Sequence, residues 1–365
     1  MYRGGEEDIV AYRVSALLIT LLITFSGIRE ASATGTDKPH AQKVYQIDLS
    51  MSYVGNDWQQ EAENLVKALA LTAPYNKIVT LKVYIAGTSA TRQIQQLDSM
   101  INAGVDAILV FPISPTALNS TITSACARGI KVFAYDAEVT APCAYNVHIN
   151  QTQAGRVTGQ WLANELHGHG DIAMITGVPG TSVDTQRTAA ALAVFHRDPK
   201  IHVVASVPGM WDQAVGKTAL AQIYASHPHL DGLWMQVGCY SAVLLEQQSH
   251  KPIIPCAGES SNGHRFFMLP KSQGGIGLRS ISYGSPPYSG ALALKLAVSA
   301  LQGHTVPKLT ILPLPVVTNA TIKLGTDPAK GANVFPPKLV PPGFFADFYS
   351  PQVGLGLHAA LTGKP

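Results

Sequence analysis

From about Val44 to Leu301 the chain alternates short apolar, β-branched runs with helix-length stretches, and it does so in two successive series. In the first, Val44–Leu49, Ile78–Ile85, Ala107–Phe111, Ile130–Tyr135 and Tyr145–Ile149 read as strands. Helices Trp58–Leu71, Thr91–Ala103 and Pro115–Arg128 fall between them. Ala62, Leu65, Val66, Leu69 and Ala70 share one face of the first helix, as a helix packed on a sheet requires. Gly104 and Gly129 follow the ends of the next two, where a glycine closes a helix most easily. The second series runs helix Thr152–Leu166, strand Asp171–Thr176, helix Asp184–Phe195, strand His202–Ser206, helix Gln213–Ser226 and strand Gly232–Gln236. It continues with helix Tyr240–Gln247, strand Pro252–Cys256, strand Gly275–Ser282 and helix Ser289–Leu301, and from about Thr310 a proline-rich tail reads as extended.

Strands that alternate with helices pair in parallel through crossovers. Two such series predict an α/β protein of two doubly wound parallel-sheet lobes, because one sheet has no need of so many elements. Ligands of these sheets lie beyond the C-terminal strand ends, so lobes that face each other would share one cleft.

Composition narrows the class. Of 365 residues, 46% are hydrophobic and 13% charged, which excludes a disordered chain. The 26 Lys and Arg against 23 Asp and Glu form no basic cluster, which argues against a nucleic-acid partner. Arg13, the apolar run Val14 to Phe25 and the small residues Ala31-Ser32-Ala33 read as a secretory signal over residues 1–33, with an uncleaved anchor as the alternative. Acidic Glu6-Glu7-Asp8 before it is unusual for such a signal. In an exported chain, the order of the four cysteines suggests disulfides Cys126–Cys143 and Cys239–Cys256, with small buried thiols as the alternative.

The strand ends collect Asn56, Asp57 and Trp58 after the first strand and Asp136 after the fourth. The second half adds Gly177–Arg187, Trp211-Asp212, Gln236 to Tyr240, Glu259 and Tyr283. Aromatic faces with amides, carboxylates and a guanidinium suit a sugar or polyol: rings pack on C–H faces, and planar polar groups bind hydroxyls in pairs. Each residue also has a plainer reading. Asp57 can cap the helix beginning at Trp58, Trp211 can be core, and Arg187 can pair with Asp184 on its own helix.

These strand ends resemble those of the ribose-, galactose- and xylose-type periplasmic solute-binding proteins of bacterial ABC importers, from about Val44 to Gly303. Asn56-x-Trp58 is similar to the family's segment after strand one, and Val132-Phe133-Ala134-Tyr135-Asp136 to its strand ending in a ligand-binding Asp. Ile149-Asn150 with Gly155 resembles the first hinge crossing, and Gly180-Thr181-Ser182 with Arg187 the glycine-rich loop and sugar-binding Arg. Trp211-Asp212, Gly258–Gly263 and Ser285–Gly290 match three further segments in order. The chain departs from the pattern at Asp136-Ala137, Val237-Gly238 and Gly284, so a less hydroxylated or more apolar solute than ribose is an alternative.

The resemblance implies two lobes on a three-segment hinge, residues 43–148 plus 283–309 and 149–282 plus 310–345, with 346–365 as a tail. It implies a periplasmic, monomeric binding protein that closes over a sugar-like solute and docks an ABC permease of the inner membrane. A chemoreceptor or sensor kinase is a second possible partner. The expected ligand-binding residues are Asn56, Trp58, Asp136, Arg187, Trp211, Gln236, Glu259 and Tyr283, with no catalytic residue, metal or cofactor. A sugar-acting enzyme is the rival reading, yet no nucleophile elbow, zinc or phosphate-loop motif is present; His167 and His169 lie at a helix end away from the cleft. The ligand domain of a transcription regulator is another, and it would need a helix-turn-helix where the export signal stands.

Overall fold

A computed structural model describes residues 43–365, and the expected signal over 1–33 lies outside them. The first series folds as β1 (Tyr45–Met51), α1 (Asp57–Leu71), β2 (Val79–Ile85), α2 (Ala90–Ala103), β3 (Ala107–Phe111), α3 (Asn119–Ala127), β4 (Lys131–Tyr135) and β5 (Tyr145–His148). The second folds as α4 (Gln151–Glu165), β6 (His169–Thr176), α5 (Ser182–Phe195), β7 (Lys200–Pro208), α6 (Gln213–Ser226), β8 (Gly232–Met235), α7 (Tyr240–Gln248), β9 (Cys256–Glu259), α8 (Asn262–Met268) and β10 (Ser280–Tyr283). Helix α9 (Ser289–Leu301), strands β11 (Leu309–Ile311) and β12 (Val316–Thr318), and helix α10 (Leu357–Thr362) complete the order.

The strands make two six-stranded sheets, ordered β11-β5-β4-β3-β1-β2 and β12-β10-β9-β8-β6-β7. Every pair is parallel except the antiparallel β10–β12. All five residues of β3 are buried, the mark of a parallel strand covered on both faces. The strand order reverses between β1 and β3 in one sheet and between β6 and β8 in the other. Such switch points are where doubly wound sheets open a crevice for ligands. The chain passes between the sheets from β5 to α4, from β10 to α9 and from β11 to β12.

Three boundaries differ from expectation for physical reasons. The strand expected at Pro252–Cys256 begins at Cys256, after the last proline, because Pro252 and Pro255 have no N–H for a ladder. Residues 275–278 fold back on α8, with Ile276 and Leu278 both donating to the Phe267 carbonyl, so β10 starts at Ser280. Helix α3 starts at Asn119, because the Ser114 hydroxyl first holds Thr116 and Ala117 in a turn. The expected partition gave residues 310–345 to the second lobe; β11 (Leu309–Ile311) pairs with β5 in the first sheet, and β12 joins the second. The tail carries a helix of its own, α10, packed on α1.

Both disulfides form with the expected partners, each at a sequence separation of 17, one in each lobe. Among the described residues no helix is long and apolar enough to cross a membrane.

Candidate functional site

Between the two sets of strand ends lies a cavity of about 590 Å³, within the range of small-molecule sites. The first lobe supplies residues 54–60, Phe111 and Asp136, and the second Val183, Arg187, residues 211–214, Val237 and Glu259. Gly343 and Phe345 complete the lining. At one rim the lobes touch, where the Glu138 N–H donates to the Ser182 hydroxyl at 2.9 Å and Gln186 donates to the Glu138 carboxylate.

The first-lobe wall is aromatic. Trp58 leans on Phe111 with ring centroids 6.0 Å apart, and Phe111 on Tyr135 at 5.8 Å. The Trp58 indole N–H donates to the Ser285 carbonyl, which fixes the ring's tilt. The helix behind this wall is capped by Asn56, whose side chain accepts from the Gln59 N–H at 2.8 Å. The cap therefore stands one residue earlier than the Asp57 expected from sequence, and Asp57 opens the helix at the cavity edge. Burial raises the Asp57 carboxyl above its ordinary value, and the Asp212 carboxylate adds to the shift.

Asp136 follows β4 in the left-handed region, at φ 57°. Its Oδ1 accepts from the Ser285 hydroxyl and from Gln151 Nε2, the latter at 3.3 Å. The same Gln151 amide accepts from Arg187 Nε at 2.7 Å. Arg187 Nη1 lies 3.2 Å from Glu259 Oε1, and the guanidinium sits over the Tyr283 ring, 5.0 Å from its centroid. The expected alternative, a pair with Asp184, does not form: Asp184 accepts from the Gly177 N–H and from Gln236.

Ser285, Asp136, Gln151, Arg187 and Glu259 thus form one buried chain of polar contacts. Burial opposes the Arg187 charge, but Glu259, Tyr283 and Asp136 outweigh it and hold the guanidinium protonated. Burial pushes the Glu259 carboxyl up to about 7 against the pull of Arg187, and Asp136 adds to the rise. Arg187 is 1% exposed, and its Nη2 has no partner among the described residues. A buried donor left over at a cavity wall is costly unless a ligand oxygen meets it.

Trp211 faces the cavity from the other lobe. Met210 and Trp211 both have positive φ, 56° and 53°, a backbone cost of roughly 1–3 kcal/mol each. The indole N–H donates to Gln236 Oε1 at 2.9 Å, and the ring lies so close to Gly177 that a Cβ there would come within 2.3 Å of it. The strained loop thus aims the indole at the cleft and the glycine makes room for it.

Of the eight expected ligand-binding residues, Asn56, Trp58, Asp136, Arg187, Trp211 and Glu259 line the cavity. Gln236 and Tyr283 stand behind it, the first holding Trp211 and the second under Arg187. Phe111, Gln151, Gly343 and Phe345 were not singled out from sequence, and Ser285 was named only as the start of a family-like segment, not as a site residue. Phe111 ends a strand and Gln151 follows the first crossing, so strand-end position could have found both. Nothing in the local pattern marks Gly343 or Phe345. Among the described residues no group of three His, Cys, Asp or Glu side chains is arranged to hold a metal ion.

A family model described as a periplasmic binding protein domain matches residues 47–305. A xylitol-binding protein of Mycolicibacterium smegmatis is 28% identical over 317 residues, 85% of each chain. A ribose import binding protein of Bacillus subtilis is 25% identical over 76% of this chain and 88% of its own. Among solved structures, an ABC transporter solute binding protein from Thermobispora bispora superposes with a TM-score of 0.71 at 26% identity, covering 76% of this chain and 87% of that one.

Proposed function

The chain belongs to the periplasmic binding protein domain family, and on that premise we propose that it is the extracytoplasmic receptor of an ABC importer for a sugar or sugar alcohol. One observation carries the ligand class: the interlobe cavity sets an aromatic wall, Trp58 and Phe111, opposite a buried network whose Arg187 has an unpartnered Nη2. Aromatic faces favour the C–H faces of a ring or extended polyol, and the network offers donors and acceptors to its hydroxyls. Asp136 and Glu259 are engaged by Ser285, Gln151 and Arg187 in one hydrogen-bonded network, and we read the outcome as binding without turnover. The names of the two curated relatives, one for xylitol and one for ribose, agree with a five-carbon polyol or sugar.

The lobes close about the crossings that join them, and the closed form is the one a permease would engage. Export by a signal at 1–33 fits the two disulfides, which persist in oxidising compartments. The test is a thermal-shift screen of pentoses, hexoses and their alcohols, followed by calorimetry and recovery of the bound molecule. A ligand at 100 times its Kd stabilises by about 2.7 kcal/mol and should be recovered unchanged. Failure of every sugar and polyol to shift the melting temperature, or recovery of an altered product, would overturn the proposal.

A further inference from the structure

The chain after residue 305 lies beyond the matched family domain, yet it reaches the ligand cavity. After β12 it is tied to the second lobe. Asn262 holds Phe335 from both sides, donating to its carbonyl at 2.9 Å and accepting from its N–H at 2.8 Å. The backbone N–H groups of Gly263 and Asn262 then donate to the carbonyls of Pro342 and Phe344, at 2.7 and 2.6 Å. Arg265 grips Asp347 through two N–H bonds of 3.1 and 2.8 Å, and the Ser260 hydroxyl adds a third at 2.8 Å.

Within the same few residues the chain is also tied to the first lobe. The Phe345 N–H donates to Glu61 Oε1 on α1 at 2.7 Å, and Phe344, Phe345 and Phe348 are buried in a hydrophobic cluster built mainly on the first lobe. Further on, Asn64 of α1 donates to the Ala360 carbonyl of α10 at 2.9 Å. Residues 341–348 therefore bridge the lobes, in addition to the three crossings of the fold. On the bridge, Gly343 and Phe345 form cavity wall beside residues 54–60.

We infer that this C-terminal bridge sets the size of the solute, with Phe345 and Gly343 as specificity-determining residues. The inference rests on the sugar-binding reading of the same cavity. A wall selects by size only if it cannot yield, and this one is held on one side by a buried Arg–carboxylate pair and on the other by α1. Gly343 abuts Asp57 so closely that a Cβ would stand 1.5 Å from Asp57 Oδ2, so any side chain there displaces that carboxylate at the cavity edge. Phe345, by contrast, fills volume that a smaller residue would return to the ligand.

The test is calorimetry of the wild type, Phe345→Ala, Phe345→Leu and Gly343→Ala against matched five- and six-carbon sugars and alcohols, with circular dichroism and melting as controls for folding. Phe345→Ala should change the ratio of affinities by about tenfold toward the six-carbon ligands, and Phe345→Leu by less in the same direction. Gly343→Ala should move the ratio toward the five-carbon ligands. Should Phe345→Ala fail to fold, the leucine and Gly343 variants carry the comparison. Equal weakening of all ligands in folded variants would overturn the inference while leaving the binding reading intact. Absence of binding by the wild type to any member of the panel would overturn that reading, and the inference with it.

Discussion

The two lobes share one strand order, yet they line the cleft with unlike chemistry. The first offers aromatic rings and two carboxylates, Asp57 and Asp136, the latter held by neutral partners, Ser285 and Gln151. The second offers the Trp211 indole and a buried ion pair, Arg187 with Glu259, backed by Tyr283. The aromatic wall is also part of the hydrophobic core, so its presence costs the fold nothing. The ion pair has been taken out of water and is tolerable only while both members are present. Aromatic contact thus comes from both lobes, whereas the buried ion pair belongs to the second alone, and there the fold is more easily damaged.

That contrast can be broken most directly at Glu259. Glu259→Ala leaves the Arg187 guanidinium buried without its carboxylate and should cost about 3–5 kcal/mol in chemical denaturation. A loss under 1 kcal/mol would show that the pair is not the weak point. The disulfides sharpen the comparison, since each spans the same sequence separation, 17. Replacing either pair by serine should cost about 3 kcal/mol on the chain-entropy account. Only the second pair should also weaken ligand binding, because Cys256 opens the strand that ends in Glu259, whereas Cys126–Cys143 lies among residues of the first lobe outside the cavity. Equal binding by both disulfide variants would argue against that link.

His264 gives the second lobe a pH dependence of its own. Its ring nitrogens meet the Glu259 carbonyl at 2.9 Å and the Ser280 hydroxyl at 2.7 Å, and burial first of all lowers its pKa to about 4 from 6.5. The unfolded chain therefore takes up this proton before the folded one does. The stability it confers is complete above about pH 6.5 and is lost as pH falls toward 4, about 3 kcal/mol in all. Proton NMR should find this imidazole still neutral at pH 5; a midpoint near 6.5 would refute the account. The smallest effect belongs to the first lobe. Asp136→Asn keeps the shape of the site and should weaken the ligand by about 10- to 100-fold, the loss of one charge-assisted hydrogen bond, with stability changed by less than about 1 kcal/mol. A stability loss as large as that of Glu259→Ala would erase the contrast between the lobes.

Much of the cleft was legible because strand ends are legible. An apolar run followed directly by Asp136, or by a short loop leading to Trp58, announces both a strand and the place where its chain leaves the sheet. Arg187 was found by its place in a segment, but its partner was not. Helical spacing favoured Asp184, whereas the structure pairs it with Glu259, 72 positions away, because the Arg187 side chain reaches the end of β9. Gln236 and Tyr283 were located correctly at strand ends, and only packing put them behind the wall rather than in it.

The sequence by itself determined what is periodic or local: the alternation that forces parallel sheets and the polar residues that follow apolar runs. Each of these is settled by contacts within one strand, one turn or one crossover. Only the tertiary structure decided how the tail is used. Its prolines and scattered aromatics carry no period, and residues 341–348 take their shape from Asn262, Arg265 and Glu61, partners 82 to 284 positions earlier in the chain. A segment without regular hydrogen bonds of its own is placed by whatever groups it can satisfy elsewhere. Here those groups belong to both lobes, so a stretch that reads as a loose end becomes a wall of the ligand cavity.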